Sequence, residues 1–273
     1  MKLGVLVLLT EKDIEDKIAK VREMGFDTCQ ICGWNPELFV DEVSDNVKAS
    51  CSKHDVSVST FWAGWSGPAL WNFYEGPHTL GLVPQEYRYA RIKELMKGSD
   101  FAKRIGVENV ATHVGFLPEN PNTTEYWSIV SALRYVVGYY EKNEQYFLFE
   151  TGQETPVTLR RTIEDIGFDN IGVNLDTANL ILYGKGHPME ALDIFGEYVR
   201  DIHAKDGCYP TDGRYLGKET PIGDGIVDFP AFIKKLKGIG YDGPITIERE
   251  ISGDEQTRDI LKAQKILSKL INE

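Results

Sequence analysis

The chain alternates between short apolar runs and longer segments in which apolar residues recur at helical spacing. Residues 3–9 form an apolar run, and Ile14, Ile18 and Val21 then repeat every three to four positions before Gly25. A short apolar run bounded by turn signals is typical of a buried strand, whereas the second pattern is typical of one face of a helix. The sequence therefore begins with a strand followed by a helix.

The same alternation recurs along the whole chain. Further strands are predicted at residues 28–32, 56–62, 109–113, 146–150, 171–176, 198–203 and 244–248. Helices are predicted at residues 36–53, 85–105, 123–142, 158–166, 188–195, 230–239 and 254–270. Eight strands alternating with eight helices predict an α/β protein with a single (β/α)8 TIM barrel, residues 1–273 forming one domain. A doubly wound open sheet is the alternative, but no G-x-G-x-x-G sequence opens the first helix.

One connection is much longer than the others. Residues 63–84 join the third strand to the third helix and combine several Gly and Pro residues with aromatic residues, including Trp65 and Trp71. Long loops in compact domains usually bind ligands or cover sites. We therefore predict that this loop closes over an active site and that Trp62 and Trp65 contact substrate. An aromatic loop of this kind is also a common place for barrels to pair, which leaves a homo-oligomer open.

Four of the predicted strands end on residues that can bind a metal. The strands at 146–150, 171–176, 198–203 and 244–248 deliver, in that order, Glu150, Asp176, His203 and Glu248. A single carboxylate at such a position is often a helix cap. Because the carboxyl ends of barrel strands open on one face, however, these four side chains can converge there. Three carboxylates with one imidazole suit a divalent cation, Mn²⁺ first, with Mg²⁺, Co²⁺ or Zn²⁺ as alternatives.

Composition narrows the classes of function. A formal net charge of −12 argues against a nucleic-acid partner, because phosphate binding needs clustered Lys and Arg. The first apolar run is too short to span a bilayer and has no small-residue cleavage site, so we expect no membrane partner and a cytoplasmic location.

Cys29 and Cys32 form a C-x-x-C pair, but no second pair follows at zinc-ribbon spacing. Positions three apart on a strand face opposite sides, which favours reduced, packed cysteines.

The segments around the strand ends resemble a known family. They are Phe149-Glu150-Thr151-Gly152, Asn174-Leu175-Asp176-Thr177-Ala178-Asn179, His203-Ala204-Lys205-Asp206, Pro221-Ile222-Gly223-Asp224-Gly225 and Ile247-Glu248-Arg249-Glu250. In this order they are similar to the metal-ligand and loop motifs of the xylose-isomerase-like barrel superfamily, in the sugar isomerase/epimerase branch that contains the ketose 3-epimerases. The resemblance covers essentially the whole chain and is specific for the superfamily and the metal site, but not for the substrate.

The resemblance implies that Glu150, Asp176, His203 and Glu248 bind the metal. It also implies that the two glutamates exchange a proton on opposite faces of a keto-sugar, through a metal-stabilised enediolate. The function expected is a divalent-metal-dependent sugar isomerase or epimerase. A metal-dependent dehydratase or lyase of a keto-cyclitol or 3-keto sugar, like the superfamily's inosose and dehydroshikimate dehydratases, begins with the same proton abstraction and stays open. A non-catalytic sugar-binding barrel would leave all four groups idle.

Further residues on the same face are candidates for substrate contact. His113 ends the fourth strand, although a lone strand-end histidine more often supports another group. Gln153 and Asn179 follow the fifth and sixth strands and could bind hydroxyl groups. The epimerases carry a substrate-binding Arg after the matching histidine, but residues 207–220 form a longer segment here, so Lys205 is the best candidate. The superfamily's zinc endonucleases need extra histidines, and Asn179 stands where one would be.

Overall fold

Eight parallel strands close into a barrel in the computed structural model, which describes all 273 residues. In chain order the strands are β1 (Lys2–Leu8), β2 (Thr28–Gly33), β3 (Ser57–Ala63), β4 (Asn109–Thr112), β5 (Tyr146–Glu150), β6 (Ile171–Asp176), β7 (Val199–Ala204), β8 (Asp206–Cys208), β9 (Lys218–Thr220) and β10 (Pro244–Ile247). The barrel consists of β1 to β7 in sequence, and β10 closes it between β7 and β1. The predicted TIM barrel is confirmed.

Helices surround the barrel. They are α1 (Ile14–Glu23), α2 (Asp41–His54), α3 (Gly76–Thr79), α4 (Gln85–Ile105), α5 (Thr124–Lys142), α6 (Pro156–Ile166), α7 (Asn179–Leu182), α8 (Pro188–Phe195), α9 (Phe229–Gly238) and α10 (Asp254–Asn272), with single 3₁₀ turns at Pro36–Leu38 and Gly196–Tyr198. None of them is both long enough and apolar enough to cross a membrane. The large core lies between the strands and these helices, while Cys32, Trp62, Ala111 and Leu148 form a small cluster inside the barrel.

The second helix begins later than its sequence predicts. Pro36 starts only a 3₁₀ turn, in which the Asn35 side chain accepts a hydrogen bond from the Glu37 backbone N–H at 3.0 Å. Val40 is then extended (φ −124°, ψ 160°), and α2 starts at Asp41. The proline does set up a helical first turn, but the Asn cap satisfies that turn locally and the extended residue interrupts it.

A hairpin outside the barrel was missed by the sequence analysis. β8 and β9 pair antiparallel within the long connection after β7. The carboxylate of Asp206 holds the following loop by accepting hydrogen bonds from four backbone N–H groups, those of Gly207, Gly223, Gly225 and Val227, at 2.8–3.1 Å. Strands of three residues are too short to show an alternating pattern, so the hairpin left no recognisable signal.

Two arginines of α4, Arg88 and Arg91, donate hydrogen bonds to the backbone of the long connection at residues 63–84. Arg91 of α4 is fully buried, and its guanidinium carbon lies 4.0 Å from the ring centroid of Trp65. Burial lowers the pKa of Arg91 to about 10, so the group remains charged at neutral pH. Its N–H groups donate to the backbone carbonyl oxygens of Ser66 at 3.0 Å, Pro68 at 2.9 Å, Thr79 at 2.7 Å and Gly81 at 2.7 Å.

The far end of this connection is fixed to the loop after β4. The backbone N–H of Leu82 donates to the Val114 carbonyl at 2.7 Å. Gly81 has φ +67°, and a Cβ there would lie 2.0 Å from the Val114 carbonyl carbon, so only glycine fits. The connection is therefore fastened to the barrel mouth near both of its ends, and its closure over substrate stays a prediction.

Replacing Arg91 by methionine should lower the free energy of unfolding by about 3 kcal/mol or more, because several buried carbonyl oxygens lose a charged donor together. Urea denaturation of Arg91→Met beside Lys93→Met, an exposed cation on the same helix, measures the difference. Equal stability of the two variants would contradict the fastening role of Arg91.

Candidate metal centre

The four strand-end residues converge at the carboxyl end of the barrel. Glu150 ends β5, Asp176 ends β6, His203 lies near the end of β7, and Glu248 directly follows β10. One ligand atom from each lies within 4.8 Å of the others. The convergence predicted from the strand ends is therefore present in the structure, and metal binding by these residues remains a proposal.

His203 lies at the centre of the cluster. Its Nδ1 is 3.1 Å from Glu150 Oε1, 3.1 Å from Glu248 Oε2 and 3.8 Å from Asp176 Oδ2. Asp176 Oδ2 and Glu248 Oε2 are buried and accept no hydrogen bond of normal geometry, although His203 and Lys205 nitrogens lie within 4 Å of each oxygen. Buried carboxylates normally need a donor or a cation, and this donor set is the kind that Mn²⁺, Mg²⁺ or Co²⁺ prefers. The residues present fit a divalent ion.

The buried charges shift one another's pKa values. Burial raises the pKa of Asp176 to about 6, although Lys205 opposes the shift. Burial also acts to raise the pKa of Glu248, but the charges of Lys205 and His203 outweigh it and hold that pKa well below its ordinary value. Burial lowers the pKa of His203, yet Glu248 and Glu150 overcome this and raise it well above its ordinary value. A cation bound here would replace the proton that these carboxylates draw onto His203.

Gln30 of β2 orients His203 from inside the barrel. Gln30 Nε2 donates to Asp201 Oδ2 at 3.2 Å, so its Oε1 faces His203 Nε2, 2.5 Å away. The amide oxygen can only accept, which places the imidazole proton on Nε2 and leaves the Nδ1 lone pair for a metal. Neither Gln30 nor Asp201 was recognised from sequence. The available signal was that Asp201 lies two residues before His203 on one strand and so faces the same side.

Asp201 is itself held by several donors. The carboxylate is fully buried in the barrel interior. Besides Gln30, it accepts hydrogen bonds from Thr60 Oγ1 at 2.6 Å, Ser59 Oγ at 3.0 Å, Thr246 Oγ1 at 3.3 Å and the Ile202 backbone N–H at 2.7 Å. These donors hold the Asp201 carboxylate in one orientation, and the carboxylate in turn orients the amide of Gln30.

A cavity of about 430 Å³ opens above the cluster, and several of the predicted substrate-binding residues line it. Trp62 Nε1 donates to Glu150 Oε2, and His113 Nε2 lies 3.5 Å from the same oxygen. Asn179 Nδ2 donates to Glu150 Oε1 at 3.4 Å. These three side chains therefore face the cavity and also hold Glu150 in place, and their contact with substrate remains a proposal.

The other candidates lie around the cavity rather than on its wall. Lys205 is buried beside the cluster, with Nζ 3.3 Å from Glu248 Oε2 and 2.7 Å from Glu250 Oε1. Gln153 is buried, and neither atom of its amide has a hydrogen-bond partner. Trp65 packs against Arg91 and has no place in the cavity wall. The structure thus gives Trp65 a packing role in the loop, and its contact with substrate stays a prediction.

Glu154 is a buried carboxyl that sequence reasoning passed over. It follows β5 by four residues, and its Oε1 has no hydrogen-bond donor. Burial raises its pKa from 4.5 to about 8, although backbone N–H groups of the same turn act in the opposite direction. The carboxyl is therefore largely protonated at neutral pH in the metal-free protein.

Comparisons with known proteins agree with the barrel fold. A family model described as xylose isomerase-like TIM barrel matches residues 18–270. A xylose isomerase domain protein from Planctomyces limnophilus is 32% identical, with a TM-score of 0.91 over 98% of this chain and 96% of that chain. An uncharacterised protein from Methanocaldococcus jannaschii is 31% identical over 118 residues, which cover 43% of this chain but only 37% of that protein.

More distant solved structures share the fold. A D-tagatose 3-epimerase-like protein is 22% identical, with a TM-score of 0.77 over 100% of this chain and 97% of that chain. A probable 3-DHS dehydratase from Bacillus anthracis is 16% identical, with a TM-score of 0.69 over 98% of this chain and 99% of that chain. At these identities the likeness concerns the fold alone.

Replacing Gln30 by leucine should weaken Mn²⁺ binding about 10–100-fold, because His203 loses the group that fixes its tautomer and ring orientation. Titration calorimetry with Mn²⁺ measures the dissociation constant directly. Gln145→Leu is the matched control, since Gln145 is also a buried, hydrogen-bonded glutamine but binds Ser99 and Val107 instead. Unchanged Mn²⁺ affinity in Gln30→Leu would show that the hydrogen bonds from Asp201 through Gln30 to His203 do not support the site.

Glu154→Gln should flatten the pH dependence of stability in the metal-free protein. The folded-state pKa of about 8 lies above the ordinary 4.5, so the folded protein binds the proton more tightly. The wild type is therefore favoured below about pH 4.5 and loses stability as the pH rises towards 8, where it levels off. Urea midpoints from pH 5 to 8 should fall less for Glu154→Gln than for the wild type or for exposed Glu141→Gln. Parallel curves would contradict the assigned pKa.

Proposed function

Because the chain belongs to the xylose isomerase-like TIM barrel family, we propose that it is a divalent-metal-dependent sugar isomerase or epimerase. The reaction proposed is proton transfer at the carbon next to the carbonyl of a keto-sugar or a derivative. The observation that carries the proposal is the set of three carboxylates and one imidazole within 4.8 Å, at the floor of a cavity of about 430 Å³. A divalent ion bound by Glu150, Asp176, His203 and Glu248 would supply positive charge beside adjacent substrate oxygens.

The two glutamates are the proposed proton carriers. In the barrel, β5 and β10 are separated by β6 and β7, so Glu150 and Glu248 approach the cavity from different sides. A carboxylate on each side of a substrate carbon can remove a proton from one face and return one to the other. Burial acts to raise the pKa of Glu150, but His113 and His203 hold it below its ordinary value, which keeps the group ready to accept a proton.

Neighbouring side chains would bind and orient the sugar. Asn179 bridges the catalytic groups, because its Nδ2 donates to Glu150 while its Oδ1 accepts from Lys205 Nζ at 3.2 Å. Lys205 brings a buried positive charge to the same side as Glu248. Both residues can exchange these internal bonds for bonds to substrate hydroxyl or carbonyl oxygens, so we include both among the substrate-binding residues, with His113 and Trp62.

A dehydratase or lyase acting on a keto-cyclitol or 3-keto sugar is the second candidate. Loss of water needs a proton donor for the leaving hydroxyl group in addition to the base that removes the first proton. In this candidate the Lys205 ammonium group, 3.3 Å from Glu248 Oε2, would be that donor. The similarity of fold to a probable 3-DHS dehydratase is compatible with this chemistry.

Incubation of the Mn²⁺-loaded protein in D₂O with a panel of ketoses, inososes and 3-keto sugars separates the two candidates. Deuterium incorporation without loss of water supports an isomerase or epimerase, whereas formation of an enone supports a dehydratase. The absence of exchange and of product across the whole panel would count against both reactions.

Glu150→Gln and Glu248→Gln should each lower turnover about 10²–10⁴-fold while retaining much of the metal, because they remove a general acid–base group. Asp176→Asn and His203→Ala should lose metal first and recover part of their activity in excess Mn²⁺. Metal content, turnover and exchange of the proton next to the carbonyl are measured for each variant. If metal-loaded Glu150→Gln exchanged that proton at the wild-type rate, the two-glutamate mechanism would be wrong.

A further inference from the structure

The mouth of the cavity is lined by large apolar side chains that remain partly exposed. Trp34, Trp71 and Leu8 are 37%, 38% and 47% exposed, and all three belong to the same cavity wall as the metal-ligand cluster. Concave apolar surfaces beside a few convergent polar groups are typical of ligand sites. The cavity thus has a polar floor, where the reacting part of a substrate would lie, and an aromatic mouth that this part would leave uncovered.

The rings of the aromatic mouth pack against one another. The ring centroid of Trp34 lies 4.5 Å from that of Trp62 and 5.9 Å from that of Trp71. The Trp71 ring centroid is in turn 5.2 Å from that of His113, on the cavity floor. Arg91 also fixes the backbone on both sides of Trp71, at Pro68 and at Thr79. Rings held in this way lose little conformational freedom when a ligand packs on them, so they form a preorganised surface.

The charges around the mouth disfavour an anionic substituent. Arg249 lines the cavity, but its guanidinium is paired with Glu219 at 2.9 Å and with Asp259 at 2.9 Å. Lys205 is paired with Glu250, whose side chain is 59% exposed. A phosphate group on the substrate would find these cations already neutralised, and it would meet the exposed carboxylate of Glu250. The mouth is therefore built for an uncharged group.

From these observations we propose that the substrate is an uncharged sugar that carries an apolar or ring-shaped substituent, as a glycoside does. The sugar lies against the metal-ligand cluster, and the substituent packs on Trp34 and Trp71. The orientation of the sugar rests on the proposed function. The binding preference does not, because it depends only on the composition of the mouth and on the packing of its rings.

Titration calorimetry of the Mn²⁺-loaded protein with three probes tests the preference. The probes are D-glucose, phenyl β-D-glucopyranoside and D-glucose 6-phosphate. The phenyl glucoside should bind about tenfold more tightly than glucose, since one additional aromatic contact is worth about that factor. Glucose 6-phosphate should bind no more tightly than glucose. A phenyl glucoside that binds no better than glucose, or a phosphate that binds best, overturns the proposal.

Variants of Trp34 and Trp71 test whether the phenyl group binds at the aromatic mouth. Trp34→Ala and Trp71→Ala, tested separately in case one of them fails to fold, should remove most of the phenyl advantage and leave glucose affinity within about twofold. Trp127→Ala is the matched control, because Trp127 is a comparably exposed tryptophan, 47%, on α5 and outside the cavity. Equal losses for glucose and its phenyl glucoside would overturn the assignment of the mouth.

Sedimentation velocity of the same variants tests a different use of the mouth. If Trp34→Ala or Trp71→Ala dissociates an oligomer without changing binding of the phenyl glucoside, the mouth is a subunit interface and the proposal is wrong. The proposed reaction can fail separately. A protein that prefers the phenyl glucoside but exchanges no substrate proton would retain this inference and lose the function proposed above.

Discussion

The mutual repulsion of buried carboxylates is the constraint on which the upper half of the barrel depends. Glu150, Asp176 and Glu248 come from three strands and bring their oxygens within a few ångströms of one another, largely out of reach of water. Such an arrangement is unfavourable unless positive charge is supplied. In the protein alone His203 and Lys205 supply it, and the fit of the donor set to a divalent ion follows from the same requirement.

Polar side chains inside the barrel hold the carboxylate cluster in place from below. Below the cluster, the lumen holds polar groups where barrels usually pack branched apolar side chains. Asp201, with its hydroxyl, amide and backbone donors, anchors Gln30, and Gln30 anchors His203. A fourth carboxylate is thus buried in the same barrel, and its hydrogen-bond donors come from its own layer of the lumen. The cluster is thus held from below by hydrogen bonds that run from His203 through Gln30 to Asp201.

The sequence predicts the strand ends, which repeat along the chain, but it does not predict the roles of single residues such as Gln30 and Arg91. Strand ends could be located because each apolar run stops at a polar residue, and the parallel barrel then requires Glu150 and Glu248 to share a face. Gln30 is a single polar residue inside an apolar strand, and its meaning depends on Asp201, 171 positions away. Arg91 lies in a helix with many charged residues, where an arginine is normally solvated, and nothing local indicates that it is fully buried. Long-range partners of this kind are visible only once the chain is folded.

The way in which Arg91 fastens its loop has a consequence for how such an enzyme could diverge. Its four hydrogen-bond acceptors are all main-chain carbonyl oxygens, which every amino acid provides. Apart from the indole of Trp65 and glycines such as Gly64, Gly67 and Gly81, where a Cβ would clash or the backbone φ is positive, the attachment places little demand on the side chains of the loop. Residues such as Trp71 that face the cavity can therefore be exchanged while the loop path is kept. Backbone atoms attach this segment to the barrel, whereas its side chains face the cavity. A new ligand preference could therefore arise there without rebuilding the barrel.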